Sequence, residues 1–187
     1  MSEISPVAVR ELLTSRRTIH EFTTAQPPWE TIEAALDTAR FAPNHFFTQP
    51  WRFYRLGRET RQAIVELNAE LVAAKRGEAA AQSKRQRWGA IPGWLVITCQ
   101  RSEKPRQRQE DYAACCCAVQ NLMLALWSEG IGSKWTTGDV IRDPRFLPLL
   151  GADPEREEVV ALLWYGYPAQ VPEARRRPLN EVLHHLP

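Results

Sequence analysis

Two adjacent arginines follow the first predicted helix, and their chemistry indicates an anionic ligand. Apolar residues recur at helical spacing up to Ser15, so Arg16 and Arg17 lie at the end of that helix. Two neighbouring guanidinium groups repel each other unless an anion lies between them, and Thr18 adds a hydroxyl that can bond the same anion. Alternatively, the pair is a solvated helix terminus whose charges offset the helix dipole.

A second set of polar side chains lies in a loop delimited by two prolines. Pro43 ends a predicted helix, Pro50 precedes a predicted strand, and Asn44, His45 and Gln49 lie between them. Because the prolines restrict the backbone, these polar groups can meet a ligand with little further loss of conformational entropy. A histidine in a loop is also commonly a surface residue without a ligand.

A third motif follows the most apolar predicted helix. The segment Gly132–Gly138 begins just after the glycine that ends this helix, and it contains Trp135, Thr136 and Thr137. The threonines supply hydroxyl groups for a polar ligand. A tryptophan more commonly fills the core, so Trp135 alone does not identify a site.

Several common types of site are excluded by residue spacing. The pair Gly130 and Gly132 follows a helix rather than a strand, so it is not a Rossmann-type dinucleotide fingerprint. Cys115, Cys116 and Cys117 point about 100° apart on a helix and cannot converge on one zinc ion, so we interpret them as small buried apolar residues. The four histidines lack metal-binding spacing, and the sequence contains neither a Walker-type motif nor a Gly-x-Ser-x-Gly elbow. No metal is expected.

The composition predicts a single globular domain over residues 1–187. The chain is 44% hydrophobic and 25% charged, and a chain of this length needs no disulfide or structural metal to fold. Twenty arginines and four lysines almost balance 22 acidic residues, which leaves a net charge of +2. Cysteines within apolar segments and the lack of an export signal over Met1–Arg10 predict a cytoplasmic protein. The most apolar segment, Tyr112–Trp127, is too short and too polar to span a membrane.

The hydrophobic periodicity predicts an α+β fold of mixed α/β layers, with a sheet packed between helices. An amphipathic N-terminal helix is predicted to begin within Met1–Arg10, with Ser5 as its N-cap and Pro6 in its first turn, and to continue to Ser15. Further helices are predicted over residues 29–40, 59–76 and 112–127, with a polar helical stretch up to residue 88; strands are predicted over residues 51–56, 94–99 and 159–165. Residues 101–110 are predicted to form a solvated loop, and residues 179–186 a short amphipathic tail. Periodicity does not predict the strand order.

In this order, the three motifs resemble the nitroreductase-like flavoprotein family. The matching residues are Ser15-Arg16-Arg17-Thr18, Ala42-Pro43-Asn44-His45 with Gln49-Pro50-Trp51, and Gly132–Gly138, and Arg177-Pro178-Leu179 adds a fourth match. The resemblance is greatest to the compact, single-domain branch, whose members carry a histidine in the loop before Gln-Pro-Trp. It implies a nitroreductase-like sheet between helices, with FMN bound at a homodimer interface.

The resemblance also implies an FMN-dependent oxidoreductase that uses NADH or NADPH and reduces a small acceptor such as a nitroaromatic compound or a quinone. FMN combines a phosphate, a polyol and a flat polar ring, which need cations, hydroxyl groups and aimed backbone amides. The proline-delimited loop would reach the flavin of the partner subunit, and the third motif would meet the ring near its reactive nitrogen. No catalytic side chain is expected, because the flavin carries the chemistry. The predicted FMN-binding residues are Arg16, Arg17, Thr18, Asn44, His45, Gln49, Trp135, Thr136, Thr137 and Arg177.

Some positions depart from the family pattern. Many relatives have the motif Arg-Arg-Ser-Ile and carry a further arginine two residues after it. In this chain the residues after Ile19 are His20 and Glu21, so FMN binding should not require that arginine. Phe46 and Phe47 replace small or polar residues of the loop and predict an unusually apolar acceptor pocket. Within the basic run Arg175–Arg177, one arginine is enough for the phosphate, and Arg177 is favoured because it directly precedes Pro-Leu.

Two other functions remain open from the sequence. A protein of the same fold could bind or fragment flavin without nitroreductase turnover, and the sequence does not distinguish that function from catalysis. The arginine-rich segments 84–87, 101–108 and 175–177 could instead form a nucleic-acid-binding surface. The nearly neutral net charge and the lack of aromatic residues within these segments argue against nucleic acid.

Overall fold

The computed structural model describes residues 5–187, which form six α-helices and one four-stranded sheet. The helices are α1 (Pro6–Ser15), α2 (Trp29–Ala39), α3 (Arg58–Arg76), α4 (Glu78–Gly89), α5 (Pro105–Ser128) and α6 (Phe146–Leu149). The strands are β1 (Trp51–Arg55), β2 (Gly93–Gln100), β3 (Gly132–Thr136) and β4 (Glu157–Gly166). The part of the predicted N-terminal helix that falls within residues 1–4 lies outside the described residues.

The sheet is antiparallel, and its strand order is β1-β2-β4-β3. The two central strands are the most apolar: every residue of β2 except Gln100 is buried, as is the second half of β4. α5 covers one face of the sheet with α2 packed beside it, and α3 and α4 cover the other face. This architecture confirms the predicted α+β fold, in which a sheet packs between helices.

Three tryptophans form a rigid part of the core on the α3–α4 side of the sheet. Trp88 of α4, Trp94 of β2 and Trp164 of β4 are all buried, and their ring centroids lie between 4.9 and 5.7 Å apart in edge-on or tilted contacts. Aromatic pairs in such geometries stabilise one another beyond the area that they bury. The cluster therefore fixes the last turn of α4 against the sheet, which determines where the basic residues of that turn lie.

α5 begins at Pro105, so the prediction of a solvated loop over residues 101–110 is wrong for most of its length. Proline favours the first turn of a helix because its φ is already suitable and its missing N–H is not needed there. Arg106 donates a hydrogen bond to Glu110 one turn later at 3.0 Å, and Arg108 donates two to Glu158 of β4 at 3.0 and 2.8 Å. The charges that predicted a loop thus stabilise the first turns of a helix.

α5 also differs from its prediction in burial. The three cysteines were expected to be buried, but only one side of the helix packs on the sheet: Cys115 is fully buried, whereas Cys117 is exposed and Tyr112 is 38% exposed. The interpretation of Cys117 as a buried apolar residue is therefore wrong for the single chain. Within residues 5–187, no helix has both the length and the apolar character that crossing a membrane requires.

The sequence analysis did not predict two further features: the break between α3 and α4, and the strand β3. Gly77 adopts a φ of +83°, and it divides the long helical stretch into α3 and α4, which pack against each other. β3 was not predicted, because only Trp135 and Thr136 in Gly-Ser-Lys-Trp-Thr favour strands, and the segment is short and begins with glycine. It becomes an edge strand through pairing with β4 along its whole length, from Gly132 opposite Gly166 to Thr136 opposite Leu162.

The first residue of β3 allows a close approach that a side chain would prevent. A Cβ atom at Gly132 would lie 2.4 Å from Cγ1 of Ile19 and 2.9 Å from Cγ of Pro168. We expect Gly132→Ala to lower the free energy of unfolding by about 1–3 kcal/mol, because the buried Ile19 must move. Urea denaturation at one fixed protein concentration measures this change. Gly89→Ala is the control, since a Cβ atom there has no neighbour within 4 Å; an equal effect of both substitutions would contradict the prediction.

Candidate functional site

The first and third motifs lie side by side. Thr18 and Ser133 form a parallel β-bridge, and the backbone N–H of Ile19 donates a hydrogen bond to the carbonyl of Ser133 at 3.0 Å. The end of α1 is also attached to α5, because Nε1 of Trp127 donates to Oγ of Ser15 at 2.9 Å. The structure therefore brings the arginine pair to the start of β3, although the two segments are more than 100 residues apart in sequence.

The two arginines of the first motif have different roles. The guanidinium of Arg17 donates to the carbonyls of Thr14 at 2.6 Å and of Arg16 at 3.0 Å, so it bonds the C-terminal end of α1, as the alternative interpretation suggested. Arg16 forms no ion pair with any described residue. Burial lowers the pKa of Arg16, and the charges of Arg176 and Arg17 lower it further. Arg16 is thus a partly desolvated cation that an anion would stabilise.

The tail arginine whose charge acts on Arg16 is Arg176. The sequence favoured Arg177 as the contributor to a phosphate site, because Arg177 directly precedes Pro-Leu. All three residues of the run Arg175–Arg177 are exposed. The electrostatic neighbourhood of Arg16 makes Arg176 the better candidate in the single chain.

A cleft of about 330 Å³ lies between β3 and the α3–α4 pair, adjacent to the first motif. Lys134 and Thr136 of β3 line it, since both point to the same face of the sheet as their partners Trp164 and Leu162 on β4. The charged residues of the lining are Lys75, Arg76, Lys84, Arg87, Lys134 and Asp139. Five cations and one carboxylate make this cleft strongly basic.

Lys134 connects the cleft to the first motif. Its Nζ atom lies 3.3 Å from Nδ1 of His20. Burial lowers the pKa of Lys134, and the charges of Arg87 and Lys84 lower it further. Burial also lowers the pKa of His20, and the charges of Lys134 and Arg87 lower it further. A row of basic side chains, called the basic region below, therefore runs from Arg16, past the Thr18–Ser133 bridge, to Lys134 and the cleft.

Two buried donors in the wall of the cleft lack hydrogen-bond partners. The side-chain Nδ2 of Asn68 and Nε1 of Trp164 are unpaired, although the two residues are only 8% and 3% exposed. An unsatisfied buried donor costs about 1–3 kcal/mol, so it indicates a polar group that completes the site. A flat ring with acceptor atoms along its edge suits these donors and the cations beside them. The residues present therefore fit FMN, since cations and buried donors occur together here.

The three residues of the third motif are not equivalent. The side chain of Trp135 packs into the core on the α5 side of the sheet, and its Nε1 donates to the carbonyl of Val160 at 3.0 Å. The alternative interpretation of Trp135 as a core residue is therefore the one that fits its side chain, which leaves only its backbone for a ligand. Thr136 points into the cleft, and Thr137 is exposed just after the strand.

The proline-delimited loop is held by its own polar side chains. Oδ1 of Asn44 accepts a hydrogen bond from the backbone N–H of Gln49 at 2.6 Å, and its Nδ2 donates to Thr48 at 3.0 Å. Phe46, Phe47 and Gln49 all have positive φ, between 46° and 61°, which non-glycine residues rarely adopt. Asn44 is thus engaged within the loop, where it stabilises a strained backbone.

The strained loop presents several side chains to solvent. Nδ1 of His45 lies 2.9 Å from a carboxylate oxygen of Glu110, and the His45 ring stacks on Phe46 with centroids 4.0 Å apart. Phe46 is 71% and Phe47 is 86% exposed, and Gln49 is exposed too. Such a constrained loop with two exposed phenylalanines is typical of a contact surface.

The loop does not meet the other two motifs within one chain. Ser133 lies in the same row of the sheet as Gly93, whereas Trp51, next to the loop, pairs with Cys99 at the opposite end of β2. Three strand spacings and six residues along a strand correspond to a separation of about 25 Å. Asn44, His45 and Gln49 can therefore join the site only if a second chain supplies them.

Sequence reasoning missed several residues of the basic cleft. Lys134 lay within the third motif but had no role, and Lys84 and Arg87 were weighed only as part of a nucleic-acid surface. Recognition of β3 as a strand would have found the link, because alternation places Lys134 and Thr136 on one face. Asn68 carried no sequence signal, since it lies in the middle of a long helix.

A larger groove, of about 780 Å³, lies between α1, α2 and α5. Glu30 and Glu129 are its charged residues, so it does not suit a phosphate. Leu12, Phe41 and Leu124 give it an apolar character. Among residues 5–187, no three His, Cys, Asp or Glu side chains are grouped so that they could hold a metal ion.

The chain is similar to known proteins over almost its whole length. The sequence profile of the Nitroreductase family matches residues 13–167. YfhC of Bacillus subtilis, which carries a provisional NAD(P)H nitroreductase name, is 33% identical over 174 residues, covering 90% of this chain and 89% of that protein. A nitroreductase-like family protein from Bacillus cereus has a TM-score of 0.85 at 28% identity, covering 100% of this chain and 98% of that one. A Desulfovibrio desulfuricans protein that is provisionally described as a nitroreductase and was crystallised with FMN has a TM-score of 0.74 at 26% identity, covering 98% of each chain.

The contact between Lys134 and His20 can be tested directly. We expect Lys134→Met to raise the pKa of His20, because it removes one of the positive charges that lower it. A proton NMR titration of the His20 ring in the flavin-free protein, assigned with His20→Gln, measures the shift. Lys104→Met is the control, since Lys104 is exposed and lies outside the cleft. If Lys134→Met leaves the titration of His20 unchanged, the two groups do not interact in solution.

Proposed function

The chain belongs to the nitroreductase family, and we propose that it is an FMN-dependent oxidoreductase that takes a hydride from NADH or NADPH and reduces a small oxidised acceptor, such as a nitroaromatic compound or a quinone. The observation that carries this proposal is the continuous basic region from Arg16 to Lys134. It joins a phosphate-binding end to a cleft with two unpaired donors. The whole chain acts as one FMN-binding domain.

The FMN phosphate binds at the end of α1 in this proposal. Arg16 is partly desolvated and lacks a carboxylate partner among the described residues, so a phosphate is its natural counter-ion. Arg176 or Arg177 of the tail contributes a second guanidinium, and the exposed hydroxyl of Thr18 donates a hydrogen bond. Arg17 contributes mainly by holding the end of α1 in place.

The lining of the basic cleft along β3 would hold the ring of FMN. When bound, FMN would supply the chemistry that accepts a hydride and passes electrons to the acceptor. Lys134 and Arg87 would stabilise negative charge on the ring, because both cations are already positioned in the cleft. Thr136 and the backbone from Trp135 to Thr137 bond the ring edge. The side chains of Asn68 and Trp164 donate from the wall of the cleft.

The relatives support both the cofactor and the electron donor. YfhC is provisionally named an NAD(P)H nitroreductase, and the Desulfovibrio desulfuricans protein was crystallised with FMN. Each covers at least nine-tenths of this chain. The nucleic-acid alternative has less support, because Lys84 and Arg87 line a cleft together with Lys134 rather than an open stacking surface.

The protein is proposed to act as a homodimer. Val7, Val9 and Leu13 of α1 are between 41% and 55% exposed, and the apolar groove beside them lies on the same side as the open face of α5. A second copy would cover these surfaces and would bring His45 and Gln49 of its own loop to the flavin. The tail from residue 169 onward, which is exposed throughout, offers further apolar contact area.

Light scattering of the flavin-bound protein should give the mass of a dimer.

Flavin binding should depend on Arg16. We expect Arg16→Gln to weaken FMN binding about 10- to 150-fold, which corresponds to the loss of one charge-assisted hydrogen bond worth about 1.5–3 kcal/mol. Fluorescence titration of the flavin-free protein with FMN measures the dissociation constant. Arg156→Gln is the matched control, since Arg156 is exposed and remote from α1. Equal affinities of the two variants would rule out the phosphate site at Arg16.

A mixed dimer tests whether the loop acts across subunits. One chain carries Arg16→Gln and the other carries His45→Ala with Gln49→Ala, and differently tagged chains allow the mixed dimer to be isolated. If the loop acts on the partner's flavin, one site receives all the substitutions and the other receives none. We therefore expect one FMN per mixed dimer to bind with unchanged affinity. Weakened binding at both sites would show that the loop acts within its own chain.

Turnover distinguishes an oxidoreductase from a protein that only binds or fragments flavin. We expect the bound flavin to lose its absorbance near the visible maximum under anaerobic conditions on addition of NADH or NADPH, and to regain it when a quinone or nitroaromatic acceptor is added. Stopped-flow absorbance measures both half-reactions. Flavin that stays oxidised with both donors, or that is consumed rather than regenerated, would contradict the proposed function.

A further inference from the structure

We propose that Arg76 and Lys84, which line the helical side of the basic cleft, bind the 2′-phosphate of NADPH, and that the protein therefore prefers NADPH to NADH. This proposal rests on the proposed function, and it names the electron donor for the same site. Arg76 is the last residue of α3 and Lys84 lies within α4, on opposite sides of the turn at Gly77. Both line the cleft that contains Lys134.

Among residues 5–187, the end of α1 and the basic cleft together have more unpaired cations than FMN can neutralise. FMN carries a single phosphate, and the group around Arg16 and Arg176 is sufficient to bind it. Lys134 and Arg87 both act on the pKa of His20, and in the proposed function they serve the ring. Arg76 and Lys84, called the outer cations below, remain without an assigned ligand, so they are available for a second anion.

No carboxylate among the described residues pairs with the outer cations. Asp139 is the only acidic residue in the lining, and it forms an ion pair with Lys75 at 2.7 Å. The neighbouring Arg85 points away from the cleft and binds Glu66 and Glu78 at 2.8 and 2.5 Å. The helix dipole accounts for a cation at the end of α3 but not for Lys84, which is in the middle of α4.

The chemistry of the outer cations selects a phosphate monoester. Such a group carries a charge of about −1.5 to −2 at neutral pH and offers three strong acceptor oxygens. Arginine binds it in a forked geometry, and lysine adds a point charge on a flexible stem. NADPH and NADH differ only at the ribose 2′ position, where NADPH has this phosphate and NADH has a neutral hydroxyl. Basic residues at such a position discriminate in favour of NADPH.

The test compares the two donors in the flavin-bound protein. We expect the double variant Arg76→Gln and Lys84→Gln to lower kcat/KM for NADPH about 10- to 100-fold while kcat/KM for NADH changes less than about twofold. Arg58→Gln is the control, because Arg58 lies at the opposite end of α3 outside the cleft. A higher kcat/KM with NADH than with NADPH in the unaltered protein, or an equal loss for both donors in the double variant, would overturn the proposal.

A binding measurement separates this proposal from the proposed function. Isothermal titration calorimetry with 2′,5′-ADP, and with 5′-AMP for comparison, needs no turnover. We expect 2′,5′-ADP to bind at least about tenfold more tightly than 5′-AMP, and the double variant to abolish the difference. If the flavin is not reduced by either nicotinamide but this difference is present, the oxidoreductase proposal fails and the phosphate site stands. If the flavin is reduced but the two ligands bind equally, the phosphate site is wrong and the oxidoreductase proposal stands.

Discussion

The backbone hydrogen bond between Ile19 and Ser133 is the contact on which the rest of the site depends. It holds the segment after α1 against the first residues of β3, and the fully buried side chain of Ile19 fixes its depth. Gly132 makes this approach possible, since any side chain there would overlap Ile19. Because of this one contact, Arg16 lies beside the edge strand whose next residues line the cleft, and His20 lies beside Lys134.

The consequence is an accumulation of positive charge that the carboxylates of residues 5–187 neutralise only in part, through the ion pair of Asp139 with Lys75. Lys134 and His20 lie 3.3 Å apart, and both have lowered pKa values because they are partly buried next to other cations. Such an arrangement opposes folding, so it is maintained where a ligand compensates it. The same electrostatics that suits a phosphate also suits the reduced form of a flavin ring, which carries more negative charge than the oxidised form.

The antiparallel order β1-β2-β4-β3 divides the proposed site between two chains. It places the strained loop before β1 at one corner of the sheet and the basic region along β3 at the opposite corner. The open face of α5, the exposed apolar residues of α1 and the exposed tail are surfaces that a second copy can cover. In the proposed dimer, assembly and cofactor binding are linked, since the loop and the basic region can meet only across an interface.

The sequence by itself determined the elements whose pattern is local. The periodicity of α1, α2 and α3 and the apolar run of β2 predicted their positions to within about a residue, and the ordered motifs indicated the family and the cofactor. Only the tertiary structure decided what depends on contacts between distant residues. β3 is a strand because β4 pairs with it, Arg108 in the first turns of α5 bonds the distant Glu158 of β4, and Lys134 joins the proposed site because strand alternation turns it toward α4. Local sequence fixes backbone preference, whereas burial, pairing and the summed electrostatic field depend on neighbours that only the folded chain brings together.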